Sequence, residues 1–396
     1  MSAFENRYGI ARPSITLANW RERPASCWSF THVSELVPSA VIHAGGGRRD
    51  GKDNHAPPPL PLPDVLVEVA GKPASLEDFL AHSMSDRFVL WRDGHLKIDW
   101  TAAHSDAALP HLLFSISKSL TGLLAGILQD EGILDPAKPV SHYLPQTAGG
   151  GYGDCPLRHL LDMRTSIEFL EEYLDRDGDY ARYRRAMLWN PPEPDLEPEP
   201  LSSLLFRLKK GEGAHGGPFC YLSPNSDLLA LLVEHAAGAP YAELMSQLVW
   251  QKAGARSDAF ITVDAKGAPR GAGGISATAH DLLRVGRLFL EEGSIGGRQI
   301  VSPAWIADTT ENGDQAAWDT GNFADFLPGA RYRNQWYCLA RPSQVVLAIG
   351  IHGQFLYIDR RTKTIMVKFA SHALPQNDQC DISNLEFLKA VAALDW

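Results

Sequence analysis

The period of the hydrophobic positions changes three times along the chain, and the changes divide it. The first 62 residues are irregular in pattern. In "RFVLWRDGHLKIDW" two short β-prone runs flank Asp93-Gly94, a pair that tolerates the positive φ of a tight primed turn, so residues 86–101 are expected to form two antiparallel strands. From Ser115 to about residue 290 the period is helical. Leu120, Leu123, Leu124, Ile127 and Leu128 repeat at three and four, and the spacing returns over Asp227–His235 and in "TAHDLLRVGRLFLEEG". Gly132, Gly238 and Gly293 stand where C-terminal caps are expected, with Asn225 or Ser226 as the N-cap of the second helix. After residue 330 strands return in "YRNQWYCLA", "QVVLAIGIHG" and "FLYIDRRTKTIMVKFAS".

Strand-rich segments at both ends predict an α+β fold with one antiparallel sheet built from both ends of the chain. The expected division is an arm over 1–62, an α/β domain over 63–114 and 291–396, and an inserted all-helical domain over 115–290. The arm ends in "GGGRRDGKDNHAPPPLPLPD", whose Gly, charge and Pro density suits a linker or wrapping segment. The polar, aromatic and proline-rich stretch "EEYLDRDGDYARYRRAMLWNPPEPDLEPEP" is too long for a simple connection. It is expected to belong to a lid over 170–217.

Composition narrows the function. With 396 residues, 44% hydrophobic and 21% charged, the chain can bury a substantial core. A net charge of -10 argues against a nucleic-acid binder, which needs a basic face. No basic n-region precedes an apolar run in "MSAFENRYGIARPSITLANW", and no stretch of about 18 apolar residues occurs, so a cytoplasmic protein without membrane attachment is expected. Cys27, Cys155, Cys220, Cys338 and Cys380 are odd in number and widely spaced, which argues against a disulfide framework or a zinc site. Without H-E-x-x-H, a calcium-loop carboxylate pattern or a P-loop, no metal or cofactor is expected. The expected partner is a small molecule, and a homodimer is left open.

The chemistry-bearing stretch is "LLFSISKSLTGLLAGILQDEG". Ser115 and Lys118 lie three apart, on one helix face about a turn from each other. At a helix start, unpaired N–H groups favour developing negative charge, while burial lowers the lysine pKa and lets a neutral amine accept the serine proton. A serine in that place is, however, commonly only a cap. Two further segments offer companions. In "FCYLSPNSDLLALLVEHAAG" the Tyr221 phenol could take or relay a proton, with Ser223 close by. In "AIGIHGQFLYID" a strand carrying His352 and Gly353 could present backbone N–H groups to a pocket edge and supply half of an oxyanion hole. Each companion also has a structural reading: a buried tyrosine with a bonded hydroxyl, and a hydrogen-bonded histidine.

Taken in this order, S-x-x-K at a helix start, Tyr-x-Ser about a hundred residues on and a late His-Gly strand resemble serine hydrolases of the penicillin-binding-protein and class C β-lactamase fold. "NWRERPASCWSFTHVSELVPSAVI", "FSISKSLTGLLAGILQDEG", "GGISATAHDLLRVGRLFLEEG", "RNQWYCLA" and "IGIHGQFLYIDRRTKTIMVKFAS" narrow the resemblance to the 6-aminohexanoate-dimer hydrolases and their family VIII carboxylesterase relatives, over about residues 15–370. The resemblance implies an antiparallel sheet flanked by helices with an inserted helical domain. It also implies Ser115 as the acylated nucleophile, Lys118 as proton acceptor, Tyr221 as proton shuttle, and the Ser115 and Ile351 amides as oxyanion donors. Ser223, His352 and Gly353 would stand behind them. A lid tyrosine over the cleft would be Tyr173, with Tyr180 and Tyr183 as rivals, and Trp336 and Tyr337 would border the substrate.

The motifs also depart from the true β-lactamases. Tyr221-Leu222-Ser223 replaces Tyr-x-Asn, and His352-Gly353-Gln354 replaces Lys-Thr-Gly, which removes a cation suited to a β-lactam carboxylate. Arg182, Arg184 and Arg185 stand on the lid where an amine-terminated oligomer would prefer an acid. The expectation is a serine hydrolase of a small amide or short carboxylester. A peptidase or β-lactamase, and a non-catalytic binding protein on the same fold, are the alternatives.

Overall fold

A computed structural model describes residues 2–45, 60 and 62–396. Most of the Gly/Pro-rich linker lies outside the described residues. The main element is a seven-stranded, wholly antiparallel sheet in the order Arg331–Arg333, Trp336–Cys338, Val345–Gly350, Gln354–Asp359, Thr364–Ala370, Ser85–Arg92, His95–Thr101. The expected hairpin is present, with Asp93 at φ 45° and Gly94 at φ 90° in its turn. It pairs with Thr364–Ala370, so strands from both ends of the chain do share one sheet.

Alternation along these strands divides two cores. Val89, Leu356, Ile358, Ile365 and Val367 face one side, with Leu282 and Phe289 of the helix Ala279–Leu290 and the leucines of the helix Ile116–Asp130. Phe88, Leu90, Phe355, Tyr357 and Met366 face the other, against Phe387 and Leu388 of the helix Asp378–Ala392.

The segment 115–290 is not all-helical. Within it Ala259–Thr262 and Ile275–Ala277 join Ser39–Ile42 and His111–Leu112 in a second antiparallel sheet. Strands of two to four residues carry too few alternations to show a period, which is why the pattern hid them. The helix Ala279–Leu290, counted with the insertion, packs on the large sheet. Nor is the arm wholly irregular. It forms the helices Ala3–Tyr8 and Ser26–Ser29 and the strand Ser39–Ile42, and it buries Trp20, Trp28, Phe30 and Val37 in the main core. Among the described residues no helix is long and apolar enough to cross a membrane.

Candidate active site

The helix Ile116–Asp130 is buried from Ile116 to Leu128, so its N-terminus is fixed by packing on every side. Gly122 permits that closeness: a Cβ there would meet the Asn334 carbonyl oxygen at 2.2 Å. Phe114, just ahead of the helix, is held at φ 46° although it is not glycine. Backbone strain of this kind persists only where packing over-determines it, and Phe114 is wedged among Phe30, Trp189 and His352. The result is a sharp entry that places Ser115 at the N-cap.

Ser115 does not act as a cap, because its side chain accepts no helix N–H. Its Oγ instead lies 2.9 Å from Lys118 Nζ. The ammonium carbon chain is 1% exposed, and the same Nζ donates to the Ala272 carbonyl at 2.8 Å. Burial pushes the Lys118 pKa down to about 7, a fall that Glu171 and Asp227 oppose and Arg270 reinforces. An amine so placed is neutral in a large fraction of molecules near pH 7. The Tyr221 ring lies against it, with Nζ 4.9 Å from the ring centroid and Phe323 stacked at 4.9 Å. Burial and the Glu171 carboxylate raise the Tyr221 pKa, and a hydrogen bond to Ser115 draws it partly back. Tyr221 is therefore a neutral phenol at ordinary pH, suited to hand on a proton rather than to act as a standing phenolate.

Lys118 is positioned through a network that the sequence reading missed. Asp227, buried on the helix Ser223–Ala237, binds Tyr183 Oη and Arg270 through one oxygen and accepts the Ala272 N–H at 2.7 Å through the other. Burial disfavours the Arg270 charge, but Asp227, Tyr183, Tyr180 and Glu171 together more than offset this and its pKa rises. Asp227 thus fixes, through its N–H, the same residue whose carbonyl accepts from Lys118. Tyr183 belongs to this network and not to the substrate cleft. The helix also begins earlier than expected, with Leu222 as N-cap and Pro224 in the first turn. Asn225 and Ser226 lie inside it, where Asn225 Oδ1 accepts from Tyr152 and Thr165 and Ser226 donates to Gln335.

The turn facing Ser115 joins the strands Val345–Gly350 and Gln354–Asp359. His352 and Gly353 lie in the turn itself, at φ 62° and 87°, not on a strand. Gly350 comes so close to the Ser115 approach that a Cβ would meet the Leu113 carbonyl oxygen at 2.5 Å. His352 hydrogen-bonds through Nδ1 to the His372 carbonyl at 2.8 Å, and its own N–H donates to Pro375. Burial holds its pKa down to about 3, so the ring is neutral and Nδ1 is the donor. The histidine pins the turn. Ser115 and Ile351 line one small pocket, and among the described residues neither N–H donates to another protein group.

That pocket is also lined by Tyr173, Tyr221, Phe323, Phe326 and Tyr337, with Asp381 at its edge. Of Tyr173, Tyr180 and Tyr183, it is Tyr173 that lines the pocket with Ser115. Tyr180 packs behind it, ring centroids 4.9 Å apart. Trp336 is elsewhere, fully buried on the opposite sheet face against Phe289 at 4.4 Å, because neighbours on a strand point to opposite faces. Glu171, absent from the predicted set, accepts from Tyr173 Oη at 2.8 Å and from Ser223 Oγ at 2.6 Å. Of the lid arginines, Arg182 pairs with Glu199 and Arg185 with Glu193, both away from Ser115. Arg184 is buried beside Tyr173. No group of three or more His, Cys, Asp or Glu side chains placed to hold a metal occurs among the described residues.

With this geometry in place, the similarity to known proteins is direct. The chain belongs to the β-lactamase family, whose model matches residues 78–389, and it is a serine hydrolase. It is 36% identical over 365 residues to the 6-aminohexanoate-dimer hydrolase of Paenarthrobacter ureafaciens, covering 92% of this chain and 90% of that protein. A structure from Bacillus anthracis, provisionally named a 6-aminohexanoate-dimer hydrolase, superposes with a TM-score of 0.85 at 24% identity, over 96% of this chain and 97% of that one. EstCE1, a hydrolase with promiscuous acyltransferase activity, matches with a TM-score of 0.59 at 17% identity, over 77% of this chain and 93% of that one.

Proposed function

We propose that the protein hydrolyses a small-molecule amide or ester through an acyl-enzyme on Ser115. The observation that carries this reading is the 2.9 Å contact between Ser115 Oγ and a buried Lys118 Nζ whose pKa is pushed down to about 7. The name of the Paenarthrobacter ureafaciens relative supports the amide side of the pair.

In the proposed cycle, neutral Lys118 takes the Ser115 proton as Oγ bonds to the carbonyl carbon. The carbonyl π electrons move to oxygen, and the oxyanion is met by the Ser115 and Ile351 amides. Collapse breaks the bond to the leaving nitrogen or oxygen, which receives a proton from Tyr221 as Lys118 resupplies the phenol. A water molecule then reverses the sequence, and Ser115 regains its proton. Every proton borrowed is returned, so neither a metal nor a redox partner is required by the balance.

Intact-mass analysis after brief exposure to a fluorophosphonate or to p-nitrophenyl acetate tests the proposal. One adduct per chain, lost in Ser115→Ala, is expected. A folded wild-type protein that takes no adduct on Ser115 would overturn it.

A further inference from the structure

Beyond Tyr173 the small pocket over Ser115 opens toward a larger cavity of about 530 Å³, and Tyr173 and Pro375 line both. The Ser115 pocket is the smaller of the two, so the part of a substrate remote from the scissile bond has room next door. The walls of the larger cavity include Leu17, Leu174 and Leu374. They suit a short aliphatic chain.

Its charges are arranged unevenly. Arg184, 9% exposed, donates through Nη1 to the Tyr173 carbonyl at 2.8 Å and lies over the Tyr180 ring, but its Nε is buried without a partner among the described residues. Arg21 donates to the Trp189 carbonyl and to Asn190 Oδ1 at 2.6 Å. Neither guanidinium has a carboxylate within ion-pair distance among the described residues, although most of the lid arginines do. Burial, and then the neighbouring Arg184 charge, bring the Arg21 pKa down to about 9. Glu22 and Asp175 stand on the exposed rim together with Arg176. The inner wall therefore holds two neighbouring cations with no internal counter-charge. Two like charges held together without an acid are costly unless an anion joins them.

We infer that this cavity is a substrate subsite for a carboxylate, gripped by Arg21 and Arg184 and separated from the scissile bond by a short methylene chain. The preferred substrates are then amides or esters carrying a free carboxylate. A guanidinium fork matches that group in shape and charge, and each hydrogen bond formed is charge-assisted. The inference rests on the proposed Ser115 chemistry for its orientation, but its binding half can be measured without turnover.

The test uses the full chain and two ester probes of similar length, mono-p-nitrophenyl glutarate and p-nitrophenyl butyrate. The expected KM is at least about 10-fold lower for the anionic ester. In Arg184→Gln the ratio of the two KM values collapses toward one, and in Arg184→Lys, which keeps a cation, part of the preference remains. Glutarate is also titrated calorimetrically into Ser115→Ala, with 1,6-diaminohexane as the cationic control. Saturable glutarate binding that Arg21→Gln and Arg184→Gln each weaken by about 10-fold or more supports the subsite. Equal KM values for both esters, or tighter binding of the diamine, overturn it. If neither ester acylates Ser115 but glutarate still binds, the hydrolase reading falls and the anion site stands.

Discussion

Glu171 holds Ser223 with both carboxylate oxygens, one accepting the backbone N–H at 2.5 Å and the other the hydroxyl at 2.6 Å. The second oxygen also accepts the Tyr173 hydroxyl. One side chain thus fastens the lid segment to the turn that carries Tyr221 and keeps an anion close enough to raise the pKa of Lys118.

Glu171→Gln keeps the shape and removes the charge. Its Lys118 should lose a proton more readily, so the rise of acylation rate with pH moves to lower pH. The plateau rate falls roughly 10-fold, since an amide cannot accept from Ser223 twice. Stopped-flow acylation from pH 5 to 9 reads both. A profile with an unmoved midpoint would reduce Glu171 to a purely mechanical tie.

Lys118 itself sets the second prediction. Its proton-accepting form is the deprotonated one, and burial has brought its pKa down to about 7, so acylation should rise with pH through about 7 and level above 8. Lys118→Met should cost on the order of 10²–10⁴-fold in acylation rate, the scale of general acid–base catalysis by one side chain. Rates that stay flat from pH 6 to 8.5 in the wild type would exclude Lys118 as the base.

How far the sequence reveals this arrangement depends on residue type and segment length. The long-range sheet was legible because Asp93-Gly94 marks a hairpin and the strands after 345 run six or seven residues. Ser115, Lys118 and Tyr221 were legible as candidates, since their residue types and spacing limit what they can do, and the fold brings the three together. Trp336 and Tyr337 show the limit. Their strand is three residues long, so nothing in its pattern says which neighbour faces the cleft, and the fold sends Tyr337 there and Trp336 into the core. Glu171 and Asp227 were hidden for a different reason. An acid in an acid-rich lid and an acid near a helix start look like solvated or capping residues until tertiary contacts bring Ser223, Tyr183 and Arg270 to them.

Tyr173 distinguishes amide from ester turnover. An amine leaves poorly unless it is protonated, and a phenol over the cleft can orient the amide nitrogen, whereas an alkoxide or phenoxide needs less help. Tyr173→Phe should lower kcat/KM for amides by roughly 10-fold or more and for matched esters by a few-fold. The comparison should use one acyl group with two leaving groups. Equal losses would assign Tyr173 to wall and packing alone.

The last prediction concerns stability. Lys368 is fully buried on the strand Thr364–Ala370, and among the described residues its Nζ has no hydrogen-bond partner. The charged groups facing it are Asp86 and Asp381, with Cys380 and His372 nearby. Asp86 is already engaged by His104, His111 and Ser371 at 2.7, 3.2 and 3.0 Å. Burial outweighs both carboxylates and brings the Lys368 pKa down to about 7. The unfolded chain, with an ordinary lysine near 10.5, binds more protons than the folded one between those values. Stability contributed at this position therefore rises as pH climbs from about 7 to about 10.5, and the full cost is present below 7. Lys368→Met removes the cost while keeping the side-chain length, so the variant should be more stable than wild type by roughly 1 kcal/mol or more at pH 6–7. The gap should narrow toward pH 10, where the wild-type amine is neutral in the fold. Thermal melts of both proteins across that range provide the comparison, and a variant that melts lower than wild type at pH 6.5 would mean that Lys368 is held charged by Asp86 and Asp381 after all.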